Sequence, residues 1–227
     1  MEITLKSFNI HCGGVKYDWS GVYDLEGFLT PFEDDVVVLQ EALSVDNVRF
    51  PLPPEYSIES LLLFPEMRSL NSEGDIVSYE GYTHILSKLP IVDRRVLSLK
   101  KYGQDTRDKV LAVTVVKNDI KINIIGVHLT TAMLPFGSFL QSLELSKNLP
   151  SGPVVVLGDH NLWGPLLSMA YRGKLLHAGT GPTWPSKRPY HQIDHIWFSG
   201  FKTTEYHVLD SGGSDHLAIR ARLKYLS

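Results

Sequence analysis

The sequence predicts an α/β fold in which two β-sheets pack face to face and helices cover their outer faces. Three observations carry that expectation. Short apolar runs bounded by turn residues recur along the whole chain. Two of them, Val36-Val37-Val38-Leu39 and Val154-Val155-Val156-Leu157, are continuous, β-branched and too short for lone helices, so they read as strands buried on both faces. Segments with helical spacing are few and interrupt the strands, as expected when helices cover packed sheets.

Taken in order, residues 3–10 alternate in part and form the first strand, and residues 35–41 hold the second. Residues 81–86, 94–99, 110–117 and 120–128 follow, the last two joined as a hairpin through Asn118-Asp119. Residues 153–158, 192–198, 204–209 and 217–223 complete the strands. Residues 136–149 form a helix with Phe139, Leu140, Leu143 and Leu145 on a broad apolar face, stopped by Pro150. Shorter helices are expected over residues 22–29, 58–64 and 163–172. There is no low-complexity linker and no short-period repeat. A chain of 227 residues is ordinary for one large sandwich, so residues 1–227 are expected to form one domain.

Composition narrows the function. With 43% hydrophobic and 21% charged residues, the chain can build a full core. Its formal charge of −3 counts against a protein that grips long nucleic acid, which needs a basic face. The pairs Arg94-Arg95, Lys100-Lys101 and Lys187-Arg188 read as solvated surface. A lone Cys12 excludes an intramolecular disulfide and a Cys-based metal cluster, and it fits a reducing compartment. The N-terminus starts on a strand without a signal-peptide pattern, and no apolar run approaches the roughly 20 residues that cross a bilayer. The expectation is a cytoplasmic monomer without stable membrane association.

The residues with chemistry sit at strand ends. Residues 34–42 (DDVVVLQEA) and 152–161 (GPVVVLGDHN) both run a buried strand into a carboxylate, Glu41 and Asp159. A carboxylate beside a buried strand is costly unless paired, hydrogen-bonded or bound to a cation. One alone could be a turn residue. Two of them, joined by Asp194 and Asp215, read as hard oxygen ligands that favour Mg²⁺ or Mn²⁺ over zinc. His216, in a loop of small residues beside Asp215 and with Asp194 available, is the candidate base, since histidine titrates near neutrality and a carboxylate orients it. His128 ends a strand, where it would donate to a phosphoryl oxygen as charge builds.

Phe8-Asn9-Ile10, Leu39-Gln40-Glu41, Ile85-Leu86-Ser87-Lys88-Leu89-Pro90-Ile91, Gly126-Val127-His128-Leu129, Gly158-Asp159-His160-Asn161, Ile193-Asp194-His195-Ile196 and Ser214-Asp215-His216 resemble the ordered motifs of the endonuclease/exonuclease/phosphatase superfamily. The resemblance spans nearly the whole chain. It implies a four-layer α-β-β-α sandwich like that of deoxyribonuclease I, with the site at one edge, and a Mg²⁺- or Mn²⁺-dependent phosphoric ester hydrolase. It also implies roles. Glu41 would hold Mg²⁺ with Asn9 beside it and Asp215 as a further ligand. Asp159 and Asn161 would position or activate water. His216 oriented by Asp194 would be the second half of the acid–base machinery, and His128 would stabilise the transition state. Arg107 would reach a phosphate oxygen.

Three positions depart from the pattern. His160 stands where a hydrophobic residue is usual and is expected to pack. His11 stands where many repair nucleases carry an acidic metal ligand. No acidic partner for His128 is evident before it, Glu80 being the nearest guess. For the substrate, the acidic residues Glu55, Glu59, Glu66, Glu73 and Asp75 would repel a polyanion, whereas Trp184 and Tyr190 could stack and Lys187 and Arg188 meet phosphate. That pattern points to a small phosphoester, a nucleotide or a nucleic-acid end. A non-catalytic scaffold of the same fold and an endonuclease acting on DNA are the alternatives.

Overall fold

The computed structural model describes residues 1–11, 33–42, 54–70, 76–131 and 135–226. Cys12 and the helix expected over residues 22–29 lie outside the described residues. The strands are β1 (Glu2–Asn9), β2 (Val36–Ala42), β3 (Ser57–Leu70), β4 (Ile76–Ser87), β5 (Ile91–Ser98), β6 (Lys109–Lys117), β7 (Ile120–His128), β8 (Val154–Asp159), β9 (Leu176–His177), β10 (Asp194–Ser199), β11 (Phe201–Val208) and β12 (Ile219–Tyr225). Two helices, α1 (Pro135–Lys147) and α2 (Gly164–Ala170), flank β8 in the chain.

The strands form two mixed six-stranded sheets, ordered β11-β12-β1-β2-β4-β3 and β5-β6-β7-β8-β10-β9. At the heart of each a parallel pair, β1–β2 or β7–β8, meets antiparallel neighbours. Period-two alternation explains the packing. Ile3 and Leu5 of β1, Val36 and Val38 of β2, Ile122 and Ile124 of β7, Val155 and Leu157 of β8, and Ile196 and Phe198 of β10 point between the sheets and form the main core. Their sequence neighbours point outward. Val154, Val156, Ile125, Val127 and Trp197 meet Leu145 of α1 and Leu167 of α2, while Phe8, Val37, Leu39 and Leu86 form a third cluster. The sheets approach closely enough that a Cβ on Gly126 would lie 2.9 Å from Val38 Cγ1.

The hairpin β6–β7 turns through Asn118 and Asp119, both with positive φ (49° and 62°), as a two-residue turn requires. Residues 58–64, expected as a helix, are instead part of β3. Leu61 and Leu63 face the core while Leu62 is exposed, a period of two, and the segment pairs with β4. A run of three leucines carries no period of its own, so the neighbouring strand decided its conformation. The helix expected over 136–149 forms, but its inward stripe is Ser138, Gln141, Ser142 and Leu145, and Leu140 is largely exposed. No helix among the described residues is long and apolar enough to cross a membrane.

Candidate functional site

Sheet register brings the candidate residues together. In the second sheet His128 lies opposite Asp159 in the parallel β7–β8 ladder, and Asp159 lies opposite Asp194 in the antiparallel β8–β10 ladder. The three therefore share one level and one face, continuing the inward rows Ile122–Ile124, Val155–Leu157 and Ile196–Phe198 to the end of the sandwich. Gly158 precedes Asp159 with φ 143°, and a Cβ there would lie 2.0 Å from Val127 O, so only glycine fits.

The first sheet completes the site from across the interface. Asn9, at the end of β1, donates its Nδ2 to Asp159 Oδ2 at 3.1 Å and to Glu41 Oε1 at 3.3 Å. Its Oδ1 accepts the His11 backbone N–H at 3.0 Å. Glu41 follows the outward Leu39 by two positions and would point away from the core in a regular strand. The β2–β4 register shifts between Leu39 and Ala42, and Glu41 takes a φ of 51°. That irregularity turns the carboxylate toward His128 Nε2, 3.7 Å away, and local strain of this kind recurs at functional sites. His11, also at positive φ, places Nδ1 2.9 Å from Asp215 Oδ1. Trp184 Nε1 donates to the other Asp215 oxygen at 3.2 Å.

His216 and Asp194 are bonded, Nδ1 to Oδ2 at 2.9 Å, and His216 Nε2 lies 3.9 Å from Asp159 Oδ2. The backbone around His216 is pinned by Ser214, whose Oγ donates to Asn9 O and accepts the His216 N–H. Burial opposes charge on the imidazole, but Asp194, Asp159 and Asp215 overcome it and push His216 up to about 10. Burial drives the Asp159 carboxyl upward, with Asp194 adding to the rise and His216 opposing it. For Asp215 burial works upward too, yet its bond to His11, the His216 and His11 charges and the Trp184 bond together hold the carboxyl below its usual range. Asn161, at φ 50°, caps Asp159 through its backbone N–H at 2.8 Å, and its side chain donates to Leu129 O.

Arg107 fills the remaining side. Its Nη1 is 3.0 Å from His128 Nε2. A guanidinium has no lone pair to accept with, so His128 Nε2 is the acceptor and the ring proton is on Nδ1. Burial and the neighbouring Arg107 charge lower the His128 pKa well below the ordinary value, which keeps the ring neutral. Glu80, the guessed partner of His128, is exposed and accepts the Tyr82 hydroxyl at 2.6 Å. Position rather than acidity decides the pairing, because Arg107 stands just ahead of β6 in the second sheet, whereas Glu80 is on β4 of the first.

Of the candidates, Asn9, Glu41, Arg107, His128, Asp159, Asn161, Asp194, Asp215 and His216 are brought together, and Trp184 borders them. Arg188 is exposed, with its backbone N–H on Pro185 O and no ion pair to the cluster among the described residues. His160 points to the helix side of β8, buried, its Nδ1 on Gly158 O and its ring edge-on to Tyr171 and His195. The sequence reading missed Asp105, Phe64, Ser214 and the pairing of His11. Asp105-Thr106-Arg107 did hold a signal, an acid and a base two residues apart.

The donor set fits a hard divalent cation. Asn9 Nδ2 bridges the Glu41 and Asp159 carboxylates, and Asp159 lies buried opposite Asp194 in the β8–β10 ladder, hard oxygen donors of the type that hold such an ion. Asp159, Asp194 and His216 also place one ligand atom each within 4.8 Å of one another. The 2.9 Å bond between Asp194 and His216 would have to break for all three to ligate one ion.

Comparison with solved structures returns the same architecture. A Beutenbergia cavernae endonuclease/exonuclease/phosphatase is 21% identical with a TM-score of 0.77, over 99% of this chain and 72% of that one. The human Nocturnin catalytic domain with bound sulfate is 16% identical with a TM-score of 0.76, over 99% and 95%. D. rerio TDP2 complexed with a single-strand DNA product is 17% identical with a TM-score of 0.70, over 98% and 99%. Comparison with curated proteins gives no match. The profile of the Endonuclease/Exonuclease/phosphatase family matches residues 7–216, so nearly the whole length is accounted for, and the chain belongs to that family.

Proposed function

We propose that this protein is a Mg²⁺- or Mn²⁺-dependent phosphoesterase in which water attacks phosphorus and the bond to the leaving oxygen breaks. The observation that carries the reading is the buried Asp159 carboxylate, 3.9 Å from a His216 imidazole that Asp194 orients from behind. His216, pushed up by its three carboxylate neighbours, is the protonated partner and donates as charge leaves phosphorus. Asp159, raised by burial, has room for a proton and takes it from water, with Asn161 and Asn9 holding its oxygens. Glu41 and Asp215 would hold the cation, which when bound polarises a phosphoryl oxygen and offsets charge on the leaving group. His128 and Arg107 line the side where phosphoryl oxygens gather charge.

A small phosphoester, a nucleotide or a nucleic-acid end fits best. Trp184 and exposed Tyr190 form an aromatic rim, and a recess of about 410 Å³ beside it is lined by Trp163, His177, Tyr190 and His191. Trp163 and His191 stack at 5.1 Å, a platform of the type that receives planar rings. Arg188 would meet phosphate at the same rim. TDP2, of the same fold, has been seen with a single-strand DNA product. We place residues 1–227 as one domain acting in the cytoplasm as a monomer. The test is hydrolysis of plasmid DNA, abasic duplex, single strands, bis-p-nitrophenyl phosphate, inositol phosphates and sphingomyelin with Mg²⁺, Mn²⁺ or EDTA. Metal-dependent cleavage of one class, lost in His216→Ala, is the expected result. Silence across the panel from folded protein would point to a non-catalytic scaffold.

A further inference from the structure

We propose that Asp105 is a positioning residue, one that grips Arg107 so that a single edge of its guanidinium is aimed at the reacting phosphoryl group. The proposal rests on the phosphoesterase reading above.

Arg107 is held along one edge and against one face. Its Nε donates to Asp105 Oδ1 at 2.8 Å and its Nη2 to Asp105 Oδ2 at 2.9 Å, a two-point contact that fixes the plane of the group. Asp105 is itself anchored, since Oδ1 accepts the Arg107 backbone N–H and Oδ2 the Thr131 backbone N–H, each at 3.0 Å. Gln141 of α1 ties the same turn to the exit of β7. Its Nε2 donates to Arg107 O at 2.7 Å and its Oε1 accepts the Thr130 N–H at 2.9 Å. One face of the guanidinium lies 5.5 Å from the Phe64 ring centroid.

The ungripped edge carries Nη1, which faces His128 Nε2 at 3.0 Å. That nitrogen is 3.6 Å from Asp159 Oδ2 and 3.7 Å from Glu41 Oε1, so the Nη1 edge looks into the catalytic cluster. Two consequences follow from donor counting. His128 Nε2 is committed as an acceptor and is not the donor to a phosphoryl oxygen. Arg107 Nη1 carries two protons, of which His128 takes one, and the other is free to donate as the oxygens gather charge. A lysine at position 107 would bring the charge without the rigid planar fork, so a two-point grip by Asp105 would no longer fix where the remaining donor points.

The test compares the unaltered protein and five variants on bis-p-nitrophenyl phosphate with Mg²⁺. Turnover by the unaltered protein, abolished in His216→Ala, establishes the reaction; its absence overturns the functional reading, not the clamp geometry. Given turnover, Arg107→Ala is expected to lower kcat by about 10²–10³-fold, the usual loss of one transition-state donor. Asp105→Asn, which keeps the size and one acceptor, is expected to lower kcat by about 10²-fold with KM within about 3-fold. Arg107→Lys should fall within about 10-fold of Arg107→Ala. The double variant Asp105→Asn/Arg107→Ala should be no slower than Arg107→Ala alone, because Asp105 acts only through Arg107. Full activity of Asp105→Asn, multiplying losses in the double variant, or a loss confined to KM would each overturn the proposal. Thermal midpoints measured alongside separate these outcomes from unfolding, and Asp105→Glu serves as the second variant if Asp105→Asn fails to fold.

Discussion

Asp194 and His195 are neighbours in β10 and point to opposite faces of the same sheet, into two different histidine clusters. On the inner face Asp194 meets His216, with Asp159 and Asp215 near it. On the outer face His195 takes a hydrogen bond from His177 Nε2 at 3.0 Å and donates its Nε2–H to Leu162 O, with His160 edge-on at 5.4 Å. His216, His195 and His160 are buried and His177 is half-buried, and burial by itself disfavours a charged imidazole in each cluster. The inner one overcomes that cost because three carboxylates surround it, so His216 rises. In the outer one only neutral rings and carbonyls are at hand, so His195 falls well below its ordinary value, His177 to about 4 and His160 to about 3. A histidine's chemistry is therefore set by which face of the sheet it packs against. On the proposed reading one cluster moves protons, while the other stays neutral and packs.

Substitution on the inner face should produce the largest effects. His216→Ala is expected to lower kcat by about 10³-fold or more with the thermal midpoint nearly unchanged, and Asp194→Asn by about 10²–10⁴-fold through loss of orientation. Steady-state rates that survived either change would dissolve the distinction between the clusters. Glu41→Ala should follow, weakening Mg²⁺ binding by about 10-fold or more in calorimetry and lowering activity with it. Ion affinity equal to that of the unaltered protein would move the cation away from the β2 irregularity.

Stability against pH sharpens the contrast through its sign. His216, raised in the fold, contributes fully below its unfolded value near 6.5, and that contribution is lost as pH rises through about 10. His177 and His160, depressed in the fold, contribute above 6.5 and lose that contribution as pH falls through about 4 and about 3. Denaturant midpoints across this range should therefore lose their alkaline slope in His216→Ala and their acid slope in His177→Phe or His160→Leu. The reverse assignment of slopes would contradict the comparison. The smallest effect is expected for His195→Phe, with rates within about 3-fold and stability lower by about 1–2 kcal/mol as Leu162 O and His177 lose a partner.

Much of this was legible in the chain. The strand ends at Asn9, His128, Asp159 and Asp194, the Asn118-Asp119 turn and the glycine before Asp159 are local features with local causes. The pairing of Asp194 with His216 was legible too, because both lie in motifs whose order along the chain is distinctive. Other features were hidden for reasons that can be named. Leu61-Leu62-Leu63 has no periodicity of its own, so nothing local marked it as a strand. Gln141 and Ser138 of α1 face inward because the loops they fasten are there, which no helical pattern encodes. Arg107 and Asp105 lie 21 and 23 positions before His128, and only the β6–β7 ladder and the turn ahead of it bring them alongside.

By itself the sequence determined the alternation of apolar residues that makes two sheets, and the polar residue types at their ends, because side-chain period and turn chemistry act over a few residues. Tertiary structure alone decided which polar residues meet. His128, Asp159 and Asp194 share a level through the registers of β7, β8 and β10, and Asn9 reaches Asp159 only because the sheets pack face to face. Glu41 joins them through an irregularity that reverses its facing. Distances of about 3 Å between residues 150 positions apart are set by packing the whole core, and the charge on His216 follows from those distances.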